Sequence, residues 1–141
     1  MITLTFPGQP ISKQSVRFAK IGNHVRAYQK KRDVDKQNNL SYAAQMQLPE
    51  NFKLFEGPLA YKVVFYFYPP KRLHKTMQKN PGQNFWVDVK PDLIDNLNKS
   101  LFDSLNKIVY NDDKQFVWCL GALKLYSFQP RTELSIYTVD F

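Results

Sequence analysis

A chain of 141 residues is long enough to bury a sizeable core within one domain. With 43% hydrophobic and 15% aromatic residues, and no apolar run near the ~18 residues of a membrane span, its composition excludes both a disordered chain and a membrane-crossing one. The net charge of +8 fits a polyanionic partner and a solvated basic surface equally, and a single cysteine, Cys119, excludes an intrachain disulfide or a cysteine-built zinc site.

The opening MITLTFPGQP has no charged stretch followed by an apolar one, so no signal peptide is expected and the chain is expected in the cytoplasm. Ile2, Leu4 and Phe6 alternate with Thr3 and Thr5, which predicts a half-buried strand ended by Pro7-Gly8. From Met1 to Arg32 there are seven basic residues and no acidic one. Ser12 to Tyr28 sets Lys13, Arg17, Lys20 and Arg26 among Val16, Phe18, Ile21, Val25 and Tyr28, as in a basic arm or loose hairpin turned at Gly22-Asn23. Its cations can meet phosphates and its aromatics can stack on unpaired bases. A solvated surface hairpin is the plainer reading. Nucleic acid is favoured over membrane because no amphipathic anchor accompanies the charge.

Lys30 to Leu48, free of Gly and Pro, predicts a helix capped by Asp33 and ended by Pro49, with Val34, Leu40, Ala43, Ala44 and Leu48 on one face. Leu59 to Tyr68 predicts a central strand buried on both faces, stopped by Pro69-Pro70. The next stretch, KRLHKTMQKNPGQNFWVDVK, is expected to be a long loop that brings Lys71, Arg72, Lys75, Lys79 and Lys90 toward the acidic residues beyond it. His74 within it is expected to face solvent. Ile94, Leu97, Leu101, Leu105 and Ile108 predict an amphipathic helix, with Asp95, Lys99 and Asp103 one turn apart along another face. Phe116 to Tyr126 and Thr132 to Val139 predict two antiparallel strands joined at Gln129-Pro130-Arg131. Cys119, in an apolar run, is expected to be buried. The whole predicts one α+β domain over residues 1–141, with a mixed or antiparallel sheet packed on two main helices.

Lys90 to Gln115, KPDLIDNLNKSLFDSLNKIVYNDDKQ, holds five of the twelve acidic residues of this basic chain: Asp92, Asp95, Asp103, Asp112 and Asp113. Hydrolysis of a phosphodiester needs an activated water and shielding of the charge that develops on phosphate oxygens. Mg²⁺ supplies both and takes a few carboxylates plus water and substrate. Asp92 and Asp95 flank the expected helix start, Asp112 or Asp113 can return to them, and Lys99 would place a cation by the scissile phosphate. Each residue also has a plain role. Asp95 can cap the helix for about 1 kcal/mol. Lys99 can be an i,i+4 partner of Asp95 or Asp103, and Asn111-Asp112-Asp113 an ordinary turn. Their joint occurrence favours a metal site.

The same stretch resembles the signature of the RusA-type Holliday junction resolvases, roughly KPDxDNLxKxxxDxLN followed by a DDxQ segment. The N-terminal strand with its P-G-x-P turn, the basic segment, the aromatic strand closed by Pro69-Pro70 and a final hairpin agree more loosely. The resemblance implies a small homodimeric endonuclease, often phage- or prophage-encoded, that uses Mg²⁺ or Mn²⁺ to nick four-way DNA junctions symmetrically in recombination and repair. It implies Asp92, Asp95 and Asp113 as metal ligands and catalytic residues, Lys99 as the catalytic lysine, and Asp103 as scaffold. Lys13, Arg17, Arg26, Lys71, Arg72, Lys75 and Lys90 would hold the DNA backbone. Two departures stand out. Leu93 and Ile94 both separate Asp92 from Asp95 where the pattern has one residue, so the pair can meet only through a bulge or an early helix start; failing that, Asp88 is a substitute ligand. Lys107 stands where members often carry Gly, with Asn106 expected to take the left-handed helix end. The competing expectation is a DNA-binding protein for branched DNA whose site the extra residue has disabled. A third is a nuclease for flapped DNA.

Overall fold

A computed structural model describes residues 1–11, 17–21, 24–28 and 31–140, the side chains of residues 17–34, 36 and 37 excepted. Four strands form one mixed sheet in the order β1-β6-β4-β5: β1 (Ile2–Pro7), β4 (Leu59–Phe67), β5 (Phe116–Tyr126) and β6 (Arg131–Thr138). β6 runs antiparallel to both β1 and β4, whereas β4 and β5 are parallel. A separate pair, β2 (Arg17–Ile21) and β3 (His24–Tyr28), is antiparallel with Ile21 opposite His24, as a hairpin requires. The expected turn residues Gly22 and Asn23 lie outside the described residues.

One face of the sheet is covered. Leu4 and Phe6 of β1, Leu59, Val63, Phe65 and Phe67 of β4, and Leu134 and Ile136 of β6 point inward and form a single core with Leu40 and Ala44 of α1 (Lys31–Gln47) and Leu97, Leu101 and Leu105 of the acidic segment. β4 is interior to the sheet, as its Val, Tyr and Phe content predicts, but it is not buried on both faces. Lys62 is exposed and Val64 and Tyr66 are half-buried on the other side, where the Arg131 guanidinium lies 3.9 Å from the Tyr66 ring centroid. A stacked cation makes that half-wet face tolerable to an aromatic side chain.

The helix α1 begins at Lys31, so Asp33 lies in its first turn and not at the cap. Its end is tied to the sheet by Gln47, whose amide oxygen accepts the Thr5 N–H at 2.8 Å and whose amide nitrogen donates to the Thr5 carbonyl at 2.8 Å. This side chain mimics a neighbouring strand and blunts the outer edge of β1.

The basic stretch after Pro70 is not a loop throughout, because Lys71–Lys79 forms a helix, α2. Leu73, His74 and Met77 give it a half-buried stripe at i, i+1 and i+4, too short to register against the basic residues around it. β5 and β6 are not a hairpin: β4 lies between them. Skipping a strand needs roughly 10 Å, which the four residues from Ser127 to Pro130 can span, and the Ser127 N–H bonds the Phe67 carbonyl at 2.8 Å on the way. β5 is therefore the outer strand, and Val117, Trp118, Cys119 and Leu120 are exposed on it. The expectation that Cys119 is buried fails because its apolar run stands at the sheet's edge. No helix is long and apolar enough to cross a membrane among the described residues.

Candidate active site

The acidic segment folds as two helical pieces with a tight return. Leu93–Asn98 is a π-helix, continued by α3 (Lys99–Leu105), and Asp113–Gln115 is a single 3₁₀ turn leading into β5. The wide turn is closed by the Leu97 N–H on the Asp92 carbonyl at 3.2 Å, an i to i−5 bond. A π turn holds one residue more than an α turn, so the second residue between Asp92 and Asp95 is taken up in the helix start and no strand bulge forms. Its cost appears at Ile94, which is 75% exposed and leaves the apolar stripe that Leu97, Leu101 and Leu105 keep. Ile108 is half-buried.

Asp92 is the N-cap. Its Oδ1 accepts the N–H groups of Asp95 at 2.8 Å and Asn96 at 3.1 Å, and its Oδ2 accepts the Asn96 side-chain amide at 2.8 Å. The capping role considered for Asp95 thus belongs to Asp92. Three of the roughly four lone-pair sites of the Asp92 carboxylate are occupied, leaving one on Oδ2. Asp95 and Lys99 are exposed, one turn apart, with Asp95 in the first turn of the wide helix and Lys99 where it becomes α3.

Asp112 and Asp113 are set by a capping box. The Asp112 carboxylate accepts the Lys114 N–H at 3.0 Å, while the Gln115 amide oxygen accepts the N–H groups of Asn111 at 2.9 Å and Asp112 at 3.0 Å. The other end of Gln115 donates to the carbonyls of Phe55 and Gly57 at 2.9 and 3.1 Å. Gln115 thereby fastens the aspartate turn to the 55–57 loop, which also pairs with the core through the Phe55 N–H on the Val109 carbonyl. Behind the turn Tyr110 is fully buried and its hydroxyl donates to the Phe102 carbonyl at 2.6 Å.

These carboxylates feel one another. The Lys114 N–H holds the Asp112 carboxyl below the usual range. Partial desolvation, the hydrogen bond with Asp112 and the charges of Asp103 and Asp112 push the Asp113 carboxyl up. Burial, then the charges of Asp113, Asp103 and Asp112, raise the Tyr110 phenol. Asp103 therefore shares the electrostatic environment of the Asp112–Asp113 turn, which its helical spacing did not reveal. Like charges held together are what a cation would relieve, and every donor is a hard carboxylate oxygen suited to Mg²⁺. Among the described residues no three Asp, Glu, His or Cys side chains are grouped so that they could hold a metal ion, so Asp92, Asp95 and Asp113 do not stand together as a preformed three-carboxylate site. Mg²⁺ does not require one, because it is commonly bound by one or two carboxylates plus waters and substrate phosphates.

The basic residues expected at DNA divide by location. Lys71, Arg72 and Lys75 are exposed on α2 and Lys90 is exposed two residues before Asp92. Lys13 lies outside the described residues, as do the side chains of Arg17 and Arg26. His74 does not face solvent but is half-buried, with its Nε2 3.0 Å from the Pro69 carbonyl. Gln115 and Asn96 were missed by reasoning from charge, though the D-x-x-Q spacing of a capping box marks the first.

The sequence as a whole matches the family model of endodeoxyribonuclease RusA over residues 7–137. It is 31% identical over 132 residues to the crossover junction endodeoxyribonuclease rusA of Lactococcus phage r1t, covering 92% of this chain and 91% of that protein. It is also 30% identical over an alignment of 146 residues to the uncharacterised protein YqaN of Bacillus subtilis (strain 168), covering 99% of this chain and 97% of the relative.

Proposed function

The chain belongs to the RusA family of endodeoxyribonucleases, and on that premise we propose that it resolves four-way DNA junctions by paired symmetric nicks, using Mg²⁺ or Mn²⁺. The observation that carries the reading is the placement of Asp95 and Lys99 one turn apart, both exposed, at the start of the helical segment that Asp92 caps. Asp92, Asp95 and Asp113 would hold the metal together with water and substrate phosphate, and the metal would supply an activated water and charge neutralisation at phosphate. Asp92 orients Asp95 by bonding its backbone N–H. Lys99 meets the negative charge that builds on the phosphate in the transition state.

Two opposed cuts in a roughly two-fold substrate call for two related sites, hence a homodimer. The apolar edge of β5, with Val117, Trp118 and Leu120 exposed, supports such an assembly. Lys71, Arg72, Lys75 and Lys90, with Lys13, Arg17 and Arg26, are assigned to the DNA backbone, where contacts position without reading sequence.

The test is to incubate the protein with a synthetic four-way junction, a linear duplex and a flap, each with and without Mg²⁺. Paired nicks in the junction that need the ion are expected. Binding without nicking in either Mg²⁺ or Mn²⁺ would replace the reading with a branched-DNA-binding protein, and preferential cutting of the flap would reassign the substrate.

A further inference from the structure

Beside the acidic segment lies a cavity of ≈ 430 Å³, within the size range of small-ligand sites, at the end of β4 where the chain turns through Pro69-Pro70 into α2. Phe67 and Val87, both buried, form its floor. Tyr68 and Tyr126 supply aromatic walls, and Arg72 and Lys90 are the cations on its lining. Lys90, on its lining, stands two residues before Asp92 in the sequence.

We propose that this cavity receives one unstacked nucleotide base of the DNA, with Tyr68 as the stacking platform and Arg72 and Lys90 on the flanking phosphates. The proposal rests on the DNA-cleaving reading above. An aromatic pocket without charge would suit any apolar ligand, and cations without aromatics would suit any phosphate. Their combination matches a nucleotide, which joins a flat π face to an anion. Tyr68 is 51% exposed, so half of its surface remains available for contact. His74 and Phe128 brace its ring at centroid distances of 5.6 and 6.0 Å, both near right angles, so neither lies parallel against it. Its backbone is fixed as well: the Tyr68 N–H donates to Oε1 of Gln9, another residue of the cavity wall, at 3.0 Å. Charge agrees, because the charged residues on the cavity's lining, Arg72 and Lys90, are both cationic.

Such a pocket would hold open a nucleotide at the branch point and favour cutting beside it. The test uses two single-stranded probes of equal length and charge, about ten nucleotides each: oligothymidylate and its abasic counterpart, measured in EDTA. The wild-type chain should bind the base-bearing strand about tenfold more tightly, as expected for one base stacked on an aromatic side chain. Tyr68→Ala should erase the ratio and Tyr68→Phe should keep it. Arg72→Ala should weaken both probes alike, since a phosphate contact does not sense the base. Equal wild-type binding of the two probes would overturn the proposal, as would a ratio that survives Tyr68→Ala with an unchanged melting temperature. Loss of the nuclease reading would show instead as absent Mg²⁺-dependent cleavage, which leaves this ratio untouched.

Discussion

Asp92 illustrates how one residue can serve both fold and chemistry. With three hydrogen bonds from the first helical turn, its carboxylate is first a cap. Asp92→Ala should cost about 1 kcal/mol of stability, the usual value of a lost N-cap, read as a fall in denaturant midpoint. Asp92→Asn, which keeps the oxygen that accepts the two backbone N–H groups, should cost much less. Sequence spacing located this residue but assigned the cap to Asp95, because an i to i−5 turn has no signature in hydrophobic periodicity. Lys107 is a second case. Its φ of 66° makes it the left-handed residue after α3, whereas Asn106, expected there, is extended at φ −57° and ψ 132°. The Lys107 N–H bonds the Tyr110 carbonyl at 2.7 Å, which fixes the turn whatever the side chain. A side chain in that region costs ~1–2 kcal/mol, partly offset by the flexibility glycine adds to the unfolded chain. Lys107→Gly should therefore stabilise the protein by roughly 0.5–1 kcal/mol, measured by the same denaturation.

Among the helices and strands, the local signals were legible and the pairings were not. The alternation of β1, the aromatic run of β4 and the leucine stripe of α3 all stand where their patterns put them. The separation of β5 from β6 by β4 is a long-range choice that a short connecting stretch conceals. α2 was hidden by its composition, since four lysines and arginines outnumber its two long apolar side chains. The aspartate turn between α3 and β5 depends on Gln115, which satisfies two N–H groups of the turn and two carbonyls of the 55–57 loop. Gln115→Leu leaves those groups without partners and should cost about 1–3 kcal/mol. It should also lower cleavage by roughly 10–100-fold, the usual effect of losing a group that orients a metal ligand. A stability loss with undiminished cleavage would show that the turn does not position Asp113 for the reaction.

Across the whole molecule, a core on one face of a mixed sheet carries the acidic segment on its helices, and the basic residues of α2 are exposed. Composition alone marks that contrast, five aspartates within a chain of net charge +8. It does not reveal that Asp103 shares the environment of Asp112 and Asp113, because this depends on how α3 meets the turn across Tyr110. Nor does it reveal that Asp92 spends most of its lone pairs on the helix. Asp95 is thereby left as the exposed carboxylate nearest the proposed catalytic lysine in sequence. Metal-dependent strand cleavage by this segment is therefore probed most directly by Asp95→Asn. On a synthetic four-way junction with Mg²⁺, the variant should lose cleavage while binding the junction as tightly as the unaltered chain or more so. Cleavage by Asp95→Asn at the unaltered rate would contradict a metal site built on this carboxylate.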